Sequence, residues 1–177
     1  MQRGKYLSNY LFLSSYYLIT IDGSQYFTSE SINCKKCLHA KTKDGSFRYY
    51  HQIVQSTLVH PDMRQVIPLA PEFIRNEDGN KKQDCERNAA KRLLYKIKQD
   101  HPHLPIIICG DSLYSNQPFI TDLNKHKFSY ILVAKPDDHK SLYEDIQGFR
   151  QGNLLEKIVK KEKGRTYVYE WVNEVPL

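Results

Sequence analysis

Two aspartates stand where carboxylate chemistry would need them. Asp111 follows Pro105-Ile106-Ile107-Ile108-Cys109-Gly110, an apolar, β-branched run of the kind that forms a strand buried on both faces. Asp22 follows Tyr16-Tyr17-Leu18-Ile19-Thr20-Ile21, a second Ile-rich strand, and precedes Gly23. A carboxylate at the tip of a buried central strand sits where open α/β sheets place their ligands. Two such carboxylates repel unless a cation lies between them, and hard oxygen ligands at a water-accessible tip select Mg²⁺ or Mn²⁺ over zinc. A pair of those ions activates the attacking oxygen and stabilises the leaving oxygen of an in-line phosphoryl transfer. Taken singly, either aspartate serves equally well as a turn or cap residue.

A second constellation is Cys34-Lys35-Lys36-Cys37, with His39 close by. The spacing suits a metal, but a zinc site needs a second ligand pair, and none appears at comparable spacing. Cys109, within the buried strand, and Cys85, on a helix, are expected to be inert core residues.

The elements that must position these groups follow from periodicity. Residues 1–17 resemble the end of a helical segment, and 16–21 form the first strand. A polar loop over 29–46 carries the cysteine pair. Residues 47–59 form a strand ended by His60-Pro61, and 64–69 a shorter one bounded by prolines. These three fit an antiparallel meander. An amphipathic helix is predicted over 82–100, with Cys85, Ala89, Leu93 and Ile97 on its apolar face. After the Asp111 strand, Ser115 or Asn116 caps a helix to His126 with Pro118 in its first turn. A buried strand over 128–134, a polar helix over 136–149 carrying Glu144 and Asp145, and a hairpin from Leu154 turning at Lys163-Gly164 complete the pattern.

The chain has 177 residues, a formal net charge of +6 and 13 tyrosines. The positive balance favours a polyanionic partner, and aromatics interleaved with Lys and Arg suit nucleic acid, although most tyrosines are better read as strand packing. No secretory signal is visible, and no apolar cluster approaches the ~20 residues of a membrane span. The expected setting is the cytosol, with reduced thiols.

Three strands, helix, strand, helix, strand, helix, with acids ending the first and fourth strands, is a ribonuclease H-like α/β order: a mixed sheet in which those two strands are neighbours. The residues also carry a family resemblance. Ile21-Asp22-Gly23-Ser24-Gln25-Tyr26-Phe27, Tyr50-His51-Gln52, Val59-His60-Pro61, the run from Lys82 through Cys85-Glu86-Arg87-Asn88 to Arg92, and Cys109-Gly110-Asp111-Ser112-Leu113-Tyr114-Ser115 resemble the catalytic domain of bacterial insertion-sequence transposases of the DDE class.

That resemblance implies DNA as partner, at transposon ends and target, strand cleavage and strand transfer, a two-metal Mg²⁺ (or Mn²⁺) cofactor, and a homodimer in the full-length protein. Asp22 and Asp111 match its first and second acids, as catalytic residues and metal ligands. Its third acid, a Glu on a helix beyond a β-rich insertion, has no match, so a truncated and inactive chain is expected. Residues 1–15 would then be the remnant of an N-terminal helical segment, 16–150 the catalytic domain, and 151–177 the start of the insertion. The alternatives are a compact nuclease using Glu144 or Asp145 as third acid, and a non-enzymatic DNA-binding remnant.

Overall fold

The computed structural model describes residues 6–75 and 84–175. They fall into two compact units, Met1–Val133 and Ala134–Leu177. The first is α/β, with a mixed sheet. A 3-10 turn, Tyr6–Tyr10, leads into β1 (Leu11–Phe12), then β2 (Tyr16–Ser29), β3 (Leu38–Lys41), β4 (Phe47–Val59), β5 (Ile67–Pro68) and β6 (Glu72–Ile74). Helix α1 (Glu86–Asp100), β7 (Ile106–Gly110), α2 (Gln117–Lys125) and β8 (Ser129–Leu132) follow.

The sheet order is β3-β4-β2-β7-β8, with β5 and β6 also on β4 and β1 on β2. β2 pairs antiparallel with β4 from Leu18↔Val59 to Ser29↔Tyr49. On its other edge β2 pairs parallel with β7, from Tyr17↔Ile106 to Thr20↔Cys109. Along the outer edge of β4 lie β3, β6 and β5 in turn.

Side-chain alternation gives this sheet its core face. Ile19, Ile21, Ile106 and Ile108 are buried, and α1 covers them with Ala89, Ala90, Leu93, Leu94 and Ile97. Full burial of a Leu or Ile contributes about 1.5–3 kcal/mol. Leu93→Ala, at a site with no exposure, is therefore a change of about 2–5 kcal/mol. At α2 the cap is Asn116: its side chain accepts from the Phe119 N–H at 3.1 Å.

Several sequence expectations need correction. The first strand does not stop at Asp22 but continues to Ser29, because β4 goes on pairing with it after β7 has ended. The region before it is a 3-10 turn and a strand paired to Tyr16 and Tyr17, not the end of an α-helix; residues 1–5 lie outside the described set. The strand expected over 64–69 shrinks to Ile67–Pro68, since proline donates nothing to a ladder. Cys85 is exposed rather than core: it is the extended N-cap residue of α1, one step before helical periodicity begins. Residues 82 and 83, where that helix was expected to start, also lie outside the described residues. Nor is β8 buried: it lies at one edge of the sheet, with Tyr130 39% and Ile131 53% exposed.

In the second unit, α3 (Lys140–Gln151) precedes the antiparallel strands β9 (Glu156–Glu162) and β10 (Arg165–Trp171). Lys163 and Gly164 form the connecting turn with φ of 48° and 76°. Two positive φ values in a two-residue loop define the turn whose twist matches a hairpin. Every residue of both strands is exposed. Arg150 donates to the Glu170 carboxylate at 2.8 Å and holds it below the usual carboxylate range. Among the described residues no helix is long and apolar enough to cross a membrane.

Candidate functional site

Asp22, within β2, and Asp111, just after β7, lie past the same end of the parallel β2–β7 ladder. The β2–β7 ladder closes at Thr20↔Cys109, so both aspartates lie two residues beyond its last pair. Both are exposed. Each has one carboxylate oxygen oriented by nearby backbone: Asp22 Oδ1 accepts from the Gly23 N–H and Asp111 Oδ1 from the Leu113 N–H, both at 2.9 Å.

Beside each aspartate is a glycine on the core face, and the space above these glycines is filled. A side chain at Gly23 would put its Cβ 2.2 Å from Glu86 Oε2, and one at Gly110 would meet the Tyr114 ring at 3.0 Å. The two filling groups are bonded to each other, with the Tyr114 hydroxyl donating to Glu86 Oε1 at 2.7 Å. Gln52 on β4 donates to Glu86 Oε2 at 3.1 Å. Burial, then the hydrogen bond and charge of Glu86, then the charges of Asp111 and Asp22 push the Tyr114 phenol far above its ordinary range. Tyr114 therefore stays protonated as a donor.

Glu86 owes its place to the start of α1. Arg92 donates to Glu72 on β6 at 2.9 Å, to Asp84 at 2.7 Å and to the Phe73 carbonyl at 3.0 Å. Burial alone would raise the Asp84 carboxyl, but the Arg92 hydrogen bond, the Cys85 N–H and the Arg92 charge outweigh it and hold the carboxyl low. Sequence reasoning assigned neither Glu86 nor Tyr114 a role. Their signal was a glycine adjoining each aspartate, which leaves room for a second layer.

Among the described residues, Cys34, Cys37 and His51 form the group of three ligating side chains whose donor atoms all lie within 4.8 Å of one another, and they could hold a metal ion. The histidine near the cysteine pair is thus His51 on β4, not His39, whose ring packs edge-on against Phe47. Cys109 is half-buried rather than a core residue, and burial pushes its thiol up. No third carboxylate joins Asp22 and Asp111 in such a group among the described residues. Glu144 and Asp145 are exposed on α3 of the second unit.

The chain matches no known family model, no curated protein and no solved structure.

Proposed function

We propose that this chain carries the catalytic core of a DDE-class DNA transposase on a ribonuclease H-like sheet, with Asp22 and Asp111 as its first two acids. The observation that carries the reading is the parallel pairing of β2 with β7, which sets both aspartates two residues past one ladder end. The sheet order supports it, since the strands lie as third, second, first, fourth and fifth once β5 and β6 are taken together as the third. The sequence resemblance supplies the transposase class.

The donor set fits a hard divalent cation: two exposed aspartates, each with one oxygen already fixed by a backbone N–H. A bound Mg²⁺ or Mn²⁺ supplies Lewis-acid activation of water and of a phosphodiester. The protein's own part is to hold and orient. Asp22 and Asp111 would hold the cation, while Glu86 and Tyr114 brace the end of the β2–β7 ladder from the core face. The net charge of +6 draws in the DNA backbone.

Cation and DNA binding test the reading. Calorimetric titration with Mn²⁺ is expected to show binding that is lost in Asp22→Asn and in Asp111→Asn. Affinity for duplex DNA is expected to fall steeply along a salt series. Equal Mn²⁺ binding by wild type and both variants would overturn the assignment.

A further inference from the structure

We propose that Cys34, Cys37 and His51 bind one zinc ion, which clasps the loop after β2 onto β4. This inference does not depend on the transposase reading.

The geometry is that of a coordination shell. Cys34 Sγ and Cys37 Sγ are 3.6 Å apart, and His51 Nε2 is 3.4 Å from each. Tetrahedral zinc with Zn–S of about 2.3 Å and Zn–N of about 2.0–2.1 Å requires edges of roughly 3.8 Å between sulfurs and roughly 3.5 Å from sulfur to nitrogen. The observed triangle agrees with both to within about 0.2 Å. A disulfide does not account for it, since bonded sulfurs are only about 2.05 Å apart. As hydrogen bonds, the two contacts would have to share the single proton or lone pair of His51 Nε2 between both sulfurs. A shared cation serves all three atoms at once.

The donors select the ion. Two thiolates and an imidazole are soft to borderline ligands that favour zinc and disfavour Mg²⁺ or Mn²⁺. The histidine is preset: its ring stacks on Tyr26 at 5.8 Å and 12°, and Phe27 lies 5.7 Å away at a tilt. Cys37 is buried, whereas Cys34 is exposed and borders a cavity of 390 Å³ walled by Tyr26, Phe27 and Ile32. Water from that side completes the tetrahedron.

The loop gives the ion its task. Residues 30–36 are all exposed, so little apolar burial holds them in place. β3 begins at Leu38, directly after the second cysteine, so fixing Cys37 also fixes where that strand enters the sheet. Sequence alone could not complete the set. The third ligand is fourteen residues beyond Cys37 and comes within reach only because His51 is on β4, with Phe27 of β2 as its cross-strand partner.

Metal analysis of the reduced protein, purified without added metal and then exchanged against Zn²⁺, tests the proposal. One zinc per chain is expected, with chelation lowering the melting temperature of the wild type and Zn²⁺ restoring it. Replacing Zn²⁺ with Co²⁺ should give the intense visible absorption of a tetrahedral site and a thiolate charge-transfer band in the near ultraviolet. Cys34→Ser, Cys37→Ser and His51→Ala should each lose the band, and His39→Ala should keep it. No zinc on the reduced wild type, a Co²⁺ spectrum lacking the thiolate band, or loss of the band in His39→Ala but not in His51→Ala would each overturn the proposal. The wild-type metal content and spectrum decide the matter even if a variant fails to fold.

Discussion

The Tyr114 hydroxyl and the Glu86 carboxylate meet at 2.7 Å on the core face, beneath the end of the β2–β7 ladder beside Asp22 and Asp111. One residue comes from the turn after β7 and the other from the first turn of α1. Their bond therefore links the fourth-strand region to the helix packed over the sheet. A hydrogen bond to a charged acceptor contributes about 1.5–3 kcal/mol. Tyr114→Phe removes the donor and keeps the ring, so a stability loss of about that size is expected. Urea denaturation checks it, with a lower midpoint and an unchanged slope. An unchanged midpoint would show that the bond contributes nothing.

Gly23 tests the same layer from the strand side. A methyl group there would lie 2.2 Å from Glu86 Oε2, so the carboxylate must shift against its bonds to Gln52 and Tyr114. Overpacking of this kind costs about 1–3 kcal/mol. Gly23→Ala is expected to cost that much beside Glu86 and clearly less in a Glu86→Ala background. The four-protein cycle measures the coupling, and strictly additive costs would show that Glu86 swings away freely.

Acid sensitivity is expected at the base of α1. Asp84 has a folded pKa below its ordinary value, chiefly because its hydrogen bond to Arg92 outweighs burial. A depressed carboxylate contributes stability that is fully present above its unfolded pKa of about 3.9 and is lost as pH falls through the lower folded value. Arg92→Gln should therefore reduce stability near neutrality and flatten its decline below about pH 4. Denaturation midpoints of wild type and variant at several pH values check this. Parallel curves would mean that Arg92 does not hold the Asp84 charge.

Some of this layout was legible in the sequence for plain reasons. Runs such as Ile106-Ile107-Ile108 are too apolar for anything but an interior strand, and Lys163-Gly164 between alternating segments fixes a hairpin turn. Apolar content could not separate a central strand from an outer one, so β8 was expected to be buried. Local signals also placed the end of β2 at Asp22-Gly23, because nothing nearby reveals that β4 continues alongside to Ser29. The same long-range pairing brings His51 to the cysteines, so the geometry of that cluster depends on contacts that spacing does not encode. Glu86 was hidden differently: as the first residue of a helix, it reads as an ordinary acid favouring the positive end of the helix dipole.

Cleavage turns on how many anionic ligands the proposed Asp22–Asp111 cation site has. With no third carboxylate grouped with Asp22 and Asp111 among the described residues, a second divalent ion would lack a ligand and be held poorly. Missing transition-state stabilisation commonly costs several kcal/mol, and each ~1.4 kcal/mol is tenfold in rate. The purified chain is therefore expected to bind Mn²⁺ and duplex DNA yet show no detectable nicking or strand transfer. Glu86 does not fill the gap, because its two oxygens already accept from Tyr114 and Gln52 on the core face. The assay uses labelled duplex with Mg²⁺ or Mn²⁺, beside Asp111→Asn, Glu144→Gln and Asp145→Asn. Nicking by the wild type that disappears in Asp111→Asn and in one of the α3 variants would overturn the expectation and assign the third acid to that helix. Nicking that survives Asp111→Asn would instead mark a contaminating nuclease and leave the two-aspartate site inactive, as expected.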